Sequence, residues 1–307
     1  MNKILSYLYS LDVQNIIEIT PNIHKIITTN NVYILKEVSS MQLENIYARL
    51  SLAKLPFFAL PIKSINNKFI EEINQKYYIL SYYYHDENNN FDEVKMNFYL
   101  KSIAYLHQNS IYPLKVNDGY FTESMDYIEN RINIVSNQLE NEMSRIEKNE
   151  YYSPFEWYLI SSYNFINQAL SKSKKYLDAF KDELEKLTSV ELTLTYQNYQ
   201  INHILIKEEK IISLEKMHIA PPFYDLIDFI EKNYNKNIDI SKLLENYFNI
   251  YNYNLYQKYW LLSLLFIPKL ELNENQLDSI QLLYLLNNYL ETIDKIESNL
   301  FPQTDWK

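Results

Sequence analysis

Three polar residues, Asn198, His203 and Ser213, follow one another at the spacing of a phosphoryl-transfer site. In kinase-type sites an aspartate takes the proton of the substrate hydroxyl, an asparagine five residues later binds Mg²⁺, and an aspartate on the next strand also binds Mg²⁺. Here the three positions carry an amide, an imidazole and a hydroxyl. The layout is that of a phosphotransferase, whereas its reactive groups are missing.

The residues around these positions predict a hairpin with a loop on each side. A β-rich run, Leu192 to Thr195, leads into a polar loop, which is followed by a strand from His203 to Ile206. A charged turn then connects to a second strand, Ile211 to Leu214, and a Pro-Pro corner precedes a helix that begins near Tyr224. This hairpin would position the three polar residues.

The stretch resembles the family of aminoglycoside phosphotransferases and choline kinases. The family pattern is HGDxxxxN, then IDFE, then a loop with proline and YDL, and the matching segments here are Tyr196 to His203, Ile212 to Glu215 and Pro221 to Leu226. The resemblance implies an α+β, bilobal, protein-kinase-like fold with a small antiparallel-sheet lobe and a large, mainly helical lobe. The implied N-terminal lobe is residues 1–87, and the implied C-terminal lobe is residues 88–307 with the degenerate hairpin at 192–229.

The same resemblance implies a role for each matched residue. Asn198 stands at the position of the catalytic aspartate, and His203 and Ser213 stand at the two Mg²⁺-ligand positions. Asp225 stands where the family has a structural aspartate that ties the following helix to the catalytic loop.

Lys36, in the strand VYILKEV, matches the lysine that pairs with the nucleotide phosphates, and Glu44 on the next helix is its candidate partner. The alternatives are an outward-facing lysine of an alternating strand and a solvated glutamate of an amphipathic helix. The turn that would cover the phosphates contains Pro21, which has no N–H to donate. Lys36 and Glu44 are therefore expected to be vestiges of a nucleotide site.

Within the superfamily, the chain resembles the CotS/YutH group of bacterial spore-coat-associated proteins. The likeness is carried by SPFEWYL at Ser153 to Leu159, by LTYQNYQINHIL, and by FIPK in the C-terminal helices. It implies synthesis in the cytoplasm, a location in the spore coat, and other proteins of a coat layer as partners.

Composition excludes several classes of function. The net charge of −10, with arginine only at Arg49, Arg131 and Arg145, argues against a nucleic-acid partner, because neutralising phosphates requires clustered basic residues. No targeting segment or membrane span is expected, since the most apolar run, Trp260 to Ile267, is too short to cross a bilayer. With no cysteine, a metal would need oxygen and histidine ligands.

Gly119 is the one glycine in the chain, which also contains 30 tyrosines. A strongly AT-rich genome explains this composition, and a tyrosine-rich surface for oxidative cross-linking in a coat is the alternative. The loss of glycine is still informative, because a flap that approaches phosphates closely normally requires it.

The residues at the three degenerate positions remove the phosphoryl-transfer chemistry that the hairpin would otherwise support. Asn198 cannot act as a general base, a contribution of about 10² to 10⁴ in rate, and both expected Mg²⁺ ligands are changed. Glu215 with His203 and His218 is a conceivable substitute metal cluster, although Glu215 also matches the common glutamate of IDFE. No metal site and no cofactor are expected, and His107 is interpreted as a structural histidine.

Three hypotheses follow: a pseudokinase that serves as a structural or binding component, an ATP-dependent small-molecule phosphotransferase with an altered metal site, and a pseudokinase that binds a nucleotide or metabolite. ATP and Mg²⁺ would be cofactors only of the second. The missing base, metal ligands and flap favour the first. The tyrosines near Tyr82 and Tyr83 also indicate that aromatic rings fill the adenine slot.

Overall fold

The computed structural model of the chain describes residues 2–85, 92–116, 119–273 and 275–302. The chain divides into two compact units, one of Met1–Tyr112 with Thr193–Asp225 and the other of Pro113–Leu192 with Leu226–Lys307. The lobe boundary predicted between residues 87 and 88 lies outside the described residues.

The strands and helices of the described residues occur in groups along the chain, as expected for an α+β protein. The strands are β1 (Val13–Thr20), β2 (Ile23–Thr28), β3 (Val32–Val38), β4 (Ile70–Ile73), β5 (Lys76–Tyr82), β6 (Tyr112–Lys115), β7 (Ser189–Thr195), β8 (Ile204–Leu205), β9 (Lys210–Ile211) and β10 (His218–Ala220). The helices are α1 (Asn2–Tyr9), α2 (Leu43–Ala53), α3 (Asp92–Gln108), α4 (Gly119–Ile146), α5 (Pro154–Leu184), α6 (Phe223–Asn233), α7 (Ile240–Phe248), α8 (Leu255–Leu265) and α9 (Gln276–Leu300).

The sheet of the first unit is antiparallel, with the strand order β1-β2-β3-β5-β4. Alternation along β3 sends Leu35 into the core, where it packs with Leu80 of β5 and Ile26 of β2. Leu5 and Leu8 of α1 belong to the same cluster. Lys36, next to Leu35, projects to the opposite face of the sheet, which is the face that carries the candidate site.

The hairpin predicted after β7 is present and short. Ile204 of β8 pairs with Ile211 of β9, and Leu205 pairs with Lys210. Ile211 also donates its N–H to the carbonyl of Phe57 at 2.8 Å and accepts from the N–H of Ala59 at 2.9 Å. These two bonds fix the hairpin against the segment that follows α2.

The second unit is mainly helical. Its helix α5 begins where Ser153 and Glu156 form a capping box and Pro154 occupies the first turn. Backbone N–H donation from Ser153 is the main reason that the pKa of Glu156 lies below its ordinary value. Further along α5, Phe180 stacks on the buried ring of Trp260 from α8, with ring centroids 4.7 Å apart.

These elements confirm the predicted α+β class, with an antiparallel sheet of five strands near the N-terminus and a mainly helical C-terminal part. In the described ranges, no helix combines the length and the apolar character that crossing a membrane requires.

Candidate functional site

Lys36 forms an ion pair with a residue of the hairpin. Its ammonium lies 2.8 Å from Oε1 of Glu215, and the two side chains are 29% and 20% exposed. Glu215 follows Ser213 by two residues, in the short turn after β9. The two charges are therefore neutralised within the protein.

The predicted partner of Lys36, Glu44, has a different role. Its carboxylate accepts the N–H groups of Phe69, at 3.0 Å, and Ile70, at 2.8 Å. These N–H groups stand at the start of β4, where they would otherwise lack an acceptor. The predicted pairing of Glu44 with Lys36 is wrong, because the carboxylate of Glu44 accepts hydrogen bonds from the backbone at the start of β4.

Replacing Glu44 by Ala is expected to lower the free energy of unfolding by about 1 to 3 kcal/mol, because two partly buried N–H groups lose their acceptor. Chemical denaturation measures this change. Glu72→Ala, on the exposed face of β4, is the control and should change stability by less than about 0.5 kcal/mol. Equal effects of the two variants would contradict the assigned role.

Asp225 organises the loop between β7 and the hairpin. Its carboxylate is fully buried and accepts the N–H groups of Tyr196, at 2.9 Å, and Gln197, at 2.6 Å. The same carboxylate lies 3.0 Å from Nε2 of His107, which is also fully buried. His107 therefore connects α3 to the loop through Asp225.

The three degenerate positions are held by a hydrogen-bond network of their own loop. The side-chain amide of Asn198, which is 7% exposed, donates to the carbonyl of Ser213 at 2.9 Å. The carbonyl of Asn198 lies 3.1 Å from Nδ1 of His203. Because a carbonyl can only accept, Nδ1 carries the hydrogen and donates it.

Tyr196 completes this network. Its hydroxyl donates to the carbonyl of Ile212 at 2.7 Å and lies 3.1 Å from Nδ1 of His203. Ser213 follows with a left-handed backbone, at φ 62°, which turns the chain away from β9. The structure thus brings Asn198, His203 and Ser213 together, through the amide of Asn198, the imidazole of His203 and the backbone carbonyl of Ser213.

We searched the surroundings of Asn198, His203 and Ser213 for side chains that could bind a metal together. Within the part of the chain that the structure describes, no group of three histidine, aspartate or glutamate side chains has the geometry to hold a metal ion. His218, suggested as a ligand with Glu215 and His203, is exposed, and its Nδ1 contacts the carbonyl of Lys216 at 2.8 Å. The conceivable substitute cluster is therefore not assembled.

Beside the ion pair lies a pocket of about 310 Å³, which we call the tyrosine pocket. Its wall includes Lys36, Ser213 and Glu215, together with three consecutive tyrosines, Tyr82 to Tyr84. The prediction that aromatic rings fill this slot is wrong. The ring of Tyr82 is instead packed beside that of Tyr33, with centroids 5.4 Å apart, so space remains between the strand and the hairpin.

Tyr47 of α2 is a member of this wall that the sequence did not single out. Its side chain is fully buried, and its hydroxyl has no hydrogen-bond partner among the residues that the structure describes. Burial, and then the nearby negative charges of Glu215 and Glu44, raise the pKa of Tyr47 well above its ordinary value. In the sequence, Tyr47 is one apolar position of an amphipathic helix, and no signal there distinguishes it.

Comparison with known proteins identifies the fold. Neither a family model nor a curated protein matches the sequence. Among solved structures, an aminoglycoside phosphotransferase from Alicyclobacillus acidocaldarius superposes with a TM-score of 0.67 at 13% identity, covering 100% of this chain and 97% of that one. The chain has the fold of that phosphotransferase.

A second solved structure, the AMP-bound complex of a spectinomycin phosphotransferase, has a TM-score of 0.53 at 15% identity, covering 95% of this chain and 96% of that one. At these identities the likeness establishes the protein-kinase-like fold and leaves activity to be argued from the site.

Proposed function

We propose that this chain is a pseudokinase: a protein with the fold of a small-molecule phosphotransferase that acts as a structural or binding component and does not transfer phosphate. The observation that carries the proposal is the network around Asn198. A catalytic base must accept a proton from the substrate, yet the residue at this position is an amide whose nitrogen already donates to Ser213.

The ion pair of Lys36 supports the same conclusion. In an active site of this type a lysine neutralises nucleotide phosphates, and Mg²⁺ neutralises the remaining charge. Here Glu215 neutralises the lysine at 2.8 Å. A nucleotide would have to displace this carboxylate, in a chain that carries a net charge of −10.

The spore coat is our proposed location, with other proteins of a coat layer as partners after synthesis in the cytoplasm. The support for this assignment is the resemblance of SPFEWYL and the loop LTYQNYQINHIL to the CotS/YutH group. If the host forms spores, antibody detection should place the chain in the extracted coat fraction. Recovery only from the vegetative cytoplasm would contradict the assignment.

The alternative function is an ATP-dependent small-molecule phosphotransferase with an altered metal site. One observation favours it: the tyrosine pocket is open, and Lys36 lies in its wall. It would require a metal held near Glu215, and within the described residues no group of three such ligands provides one.

Phosphoryl transfer can be tested by ³¹P NMR of ATP with the full chain, Mg²⁺ or Mn²⁺, and spectinomycin, kanamycin or choline as acceptor. We expect turnover of about 1 per second at most, and as low as about 10⁻⁴ per second, since kinases turn over at about 1 to 100 per second and loss of the base costs about 10² to 10⁴. An active aminoglycoside phosphotransferase serves as the positive control. Metal-dependent phosphorylation of an acceptor that Lys36→Ala abolishes would overturn the proposal.

A further inference from the structure

A second pocket, of about 300 Å³, is lined by the last turn of α2 and by the residues that follow α3, and we call it the arginine pocket. Its wall includes Arg49 and Leu52 of α2, Tyr112 of β6 and Ile219 of β10. The described residues of this wall all belong to the first compact unit, and none of them lines the tyrosine pocket. The arginine pocket is therefore separate from the candidate site.

Arg49 supplies the formal charge of the arginine pocket, because the other described residues of the wall are apolar or neutral. Within the described part of the chain its guanidinium has no carboxylate partner, although acidic residues outnumber basic ones by 39 to 29. Arg145, by contrast, pairs with the carboxylates of Glu142 and Glu156. The pocket thus carries one positive charge that none of the described carboxylates neutralises.

The ring of Tyr112 restrains this guanidinium. Cζ of Arg49 lies 5.5 Å from the centre of the ring, which is within the range of a cation–π contact. A restrained side chain loses less conformational entropy when it binds a ligand. The forked N–H donors of a guanidinium match the two oxygens of a carboxylate, so the group is suited to a planar anion.

The neutral polar groups of the wall take part in hydrogen bonds of the framework. The hydroxyl of Ser110 donates to the carbonyl of Leu106 at 2.6 Å and accepts the N–H of Leu194 at 3.0 Å. The side-chain amide of Asn109 donates to the carbonyl of Tyr105 at 2.8 Å. These bonds connect the end of α3 to β7 and fix this side of the pocket. The guanidinium remains as the strongest donor for a ligand.

The rest of the wall favours a ligand with an apolar body. Leu52 is 80% exposed and Ile111 is 48% exposed, and Leu194 and Ile219 extend the apolar surface. Covering these side chains removes apolar surface from water, which stabilises binding. One positive charge balances a single negative charge, whereas a phosphate monoester carries about −1.5 to −2 at pH 7. The charge and the apolar wall together match a monocarboxylate.

We propose that the arginine pocket binds a small monocarboxylic acid with a compact apolar body. The carboxylate pairs with the guanidinium of Arg49, and the body covers Leu52 and Ile111. A volume of about 300 Å³ is at the lower end of small-molecule sites, which suits an acid with a single ring. The inference is independent of the pseudokinase proposal, because the pocket shares none of its described residues with the tyrosine pocket.

A ligand-detected NMR titration of the full chain with benzoate, at constant ionic strength, tests this site. We expect a Kd of about 1 mM or lower. Benzamide keeps the ring without the charge, and acetate keeps the charge without the ring, so each should bind at least about tenfold more weakly. Phenyl phosphate keeps the ring but carries the larger charge, and it should bind at least about threefold more weakly.

Arg49→Gln should weaken benzoate binding about tenfold or more, because it removes the charge-assisted hydrogen bonds. Arg49 is exposed, so this variant should fold normally. Arg49→Lys keeps the charge but loses the forked donors, and it should weaken binding about threefold or more. Arg131→Gln is the matched control: Arg131, on α4, also has no carboxylate partner among the described residues, and its replacement should leave binding unchanged.

Three results would each overturn the inference. The first is no binding of benzoate at about 10 mM. The second is equal binding of benzoate by the wild-type chain and by Arg49→Gln. The third is binding of acetate, benzamide or phenyl phosphate that is as tight as that of benzoate.

Discussion

Replacing Asp225 by Ala is expected to lower the free energy of unfolding by about 3 to 5 kcal/mol, which is comparable to breaking a buried ion pair. The carboxylate is fully buried and accepts the N–H groups of Tyr196 and Gln197. It also lies 3.0 Å from the buried His107. Removing it leaves two N–H groups and an imidazole without their acceptor, in a position that water does not reach.

Urea denaturation followed by circular dichroism measures this loss, and Asp225→Asn provides a milder second variant that keeps the side-chain volume. Asp228→Asn, three residues further along α6, is the matched control. Asp228 pairs with Lys232 at the surface of that helix, so its replacement should cost less than about 0.5 kcal/mol. A cost below about 1 kcal/mol for Asp225→Ala would show that the carboxylate does not organise the loop.

Asn198→Asp, which restores the residue type of an active phosphotransferase, is expected to destabilise the protein by about 1 to 3 kcal/mol. The amide nitrogen now donates to the carbonyl of Ser213 at 2.9 Å, and a carboxylate would place two acceptors against each other. The site is 7% exposed, so water cannot relieve the conflict. The loop has adapted to the amide, and the substitution alone should not restore catalysis.

This destabilisation should depend on pH. Burial and the opposing carbonyl disfavour the ionised form, so the pKa of the introduced carboxyl is higher in the folded state than in the unfolded state. The destabilisation by Asn198→Asp is therefore smallest at pH values below the pKa that the carboxyl has in the unfolded state. It grows as pH rises through the pKa that the carboxyl has in the folded state. Thermal unfolding at pH 5 and pH 8 measures the difference, and Asn202→Asp, at an exposed position of the same loop, is the control. A penalty that does not grow with pH would contradict this geometry.

Local patterns in the sequence predicted much of the fold. The alternation of VYILKEV gave the bounds of β3, which the structure has at Val32–Val38. The start of α5 depends on Ser153 and Pro154, whose capping acts within one turn of the helix. Such features depend on residues that are neighbours in the chain, so they can be predicted without the three-dimensional structure.

The fourth strand shows where local pattern fails. The apolar ends of Ile62 to Ile65 are typical of a short strand, whereas β4 is Ile70–Ile73, with two consecutive glutamates. Glu71 is buried there and accepts hydrogen bonds from the side chains of Ser64 and Asn66. A buried glutamate contradicts the expected pattern of a strand, and its partners become visible only when the chain is folded.

The geometry of the candidate site depends on contacts between segments that are far apart in the sequence. The spacing of Asn198, His203 and Ser213 located the loop, but the partner of Lys36 lies on the hairpin and not on the nearby α2. Sequence proximity favoured Glu44, which the fold uses to hold the start of β4. The same limit applies to the tyrosine pocket, because tyrosines in a strand are compatible with a filled slot or with the wall of an open one.

The proposal that this chain is a pseudokinase is tested most directly by the effect of metal on its affinity for ATP. Calorimetric titration of the full chain with ATP, without metal and then with saturating Mg²⁺ or Mn²⁺, measures it. We predict that metal changes any ATP affinity by less than about twofold, because the positions of the metal ligands carry an imidazole and a hydroxyl in place of hard oxygen donors. A metal-dependent gain of about tenfold or more, abolished by Glu215→Gln, would contradict the account and identify the chain as a metal-dependent nucleotide-binding protein.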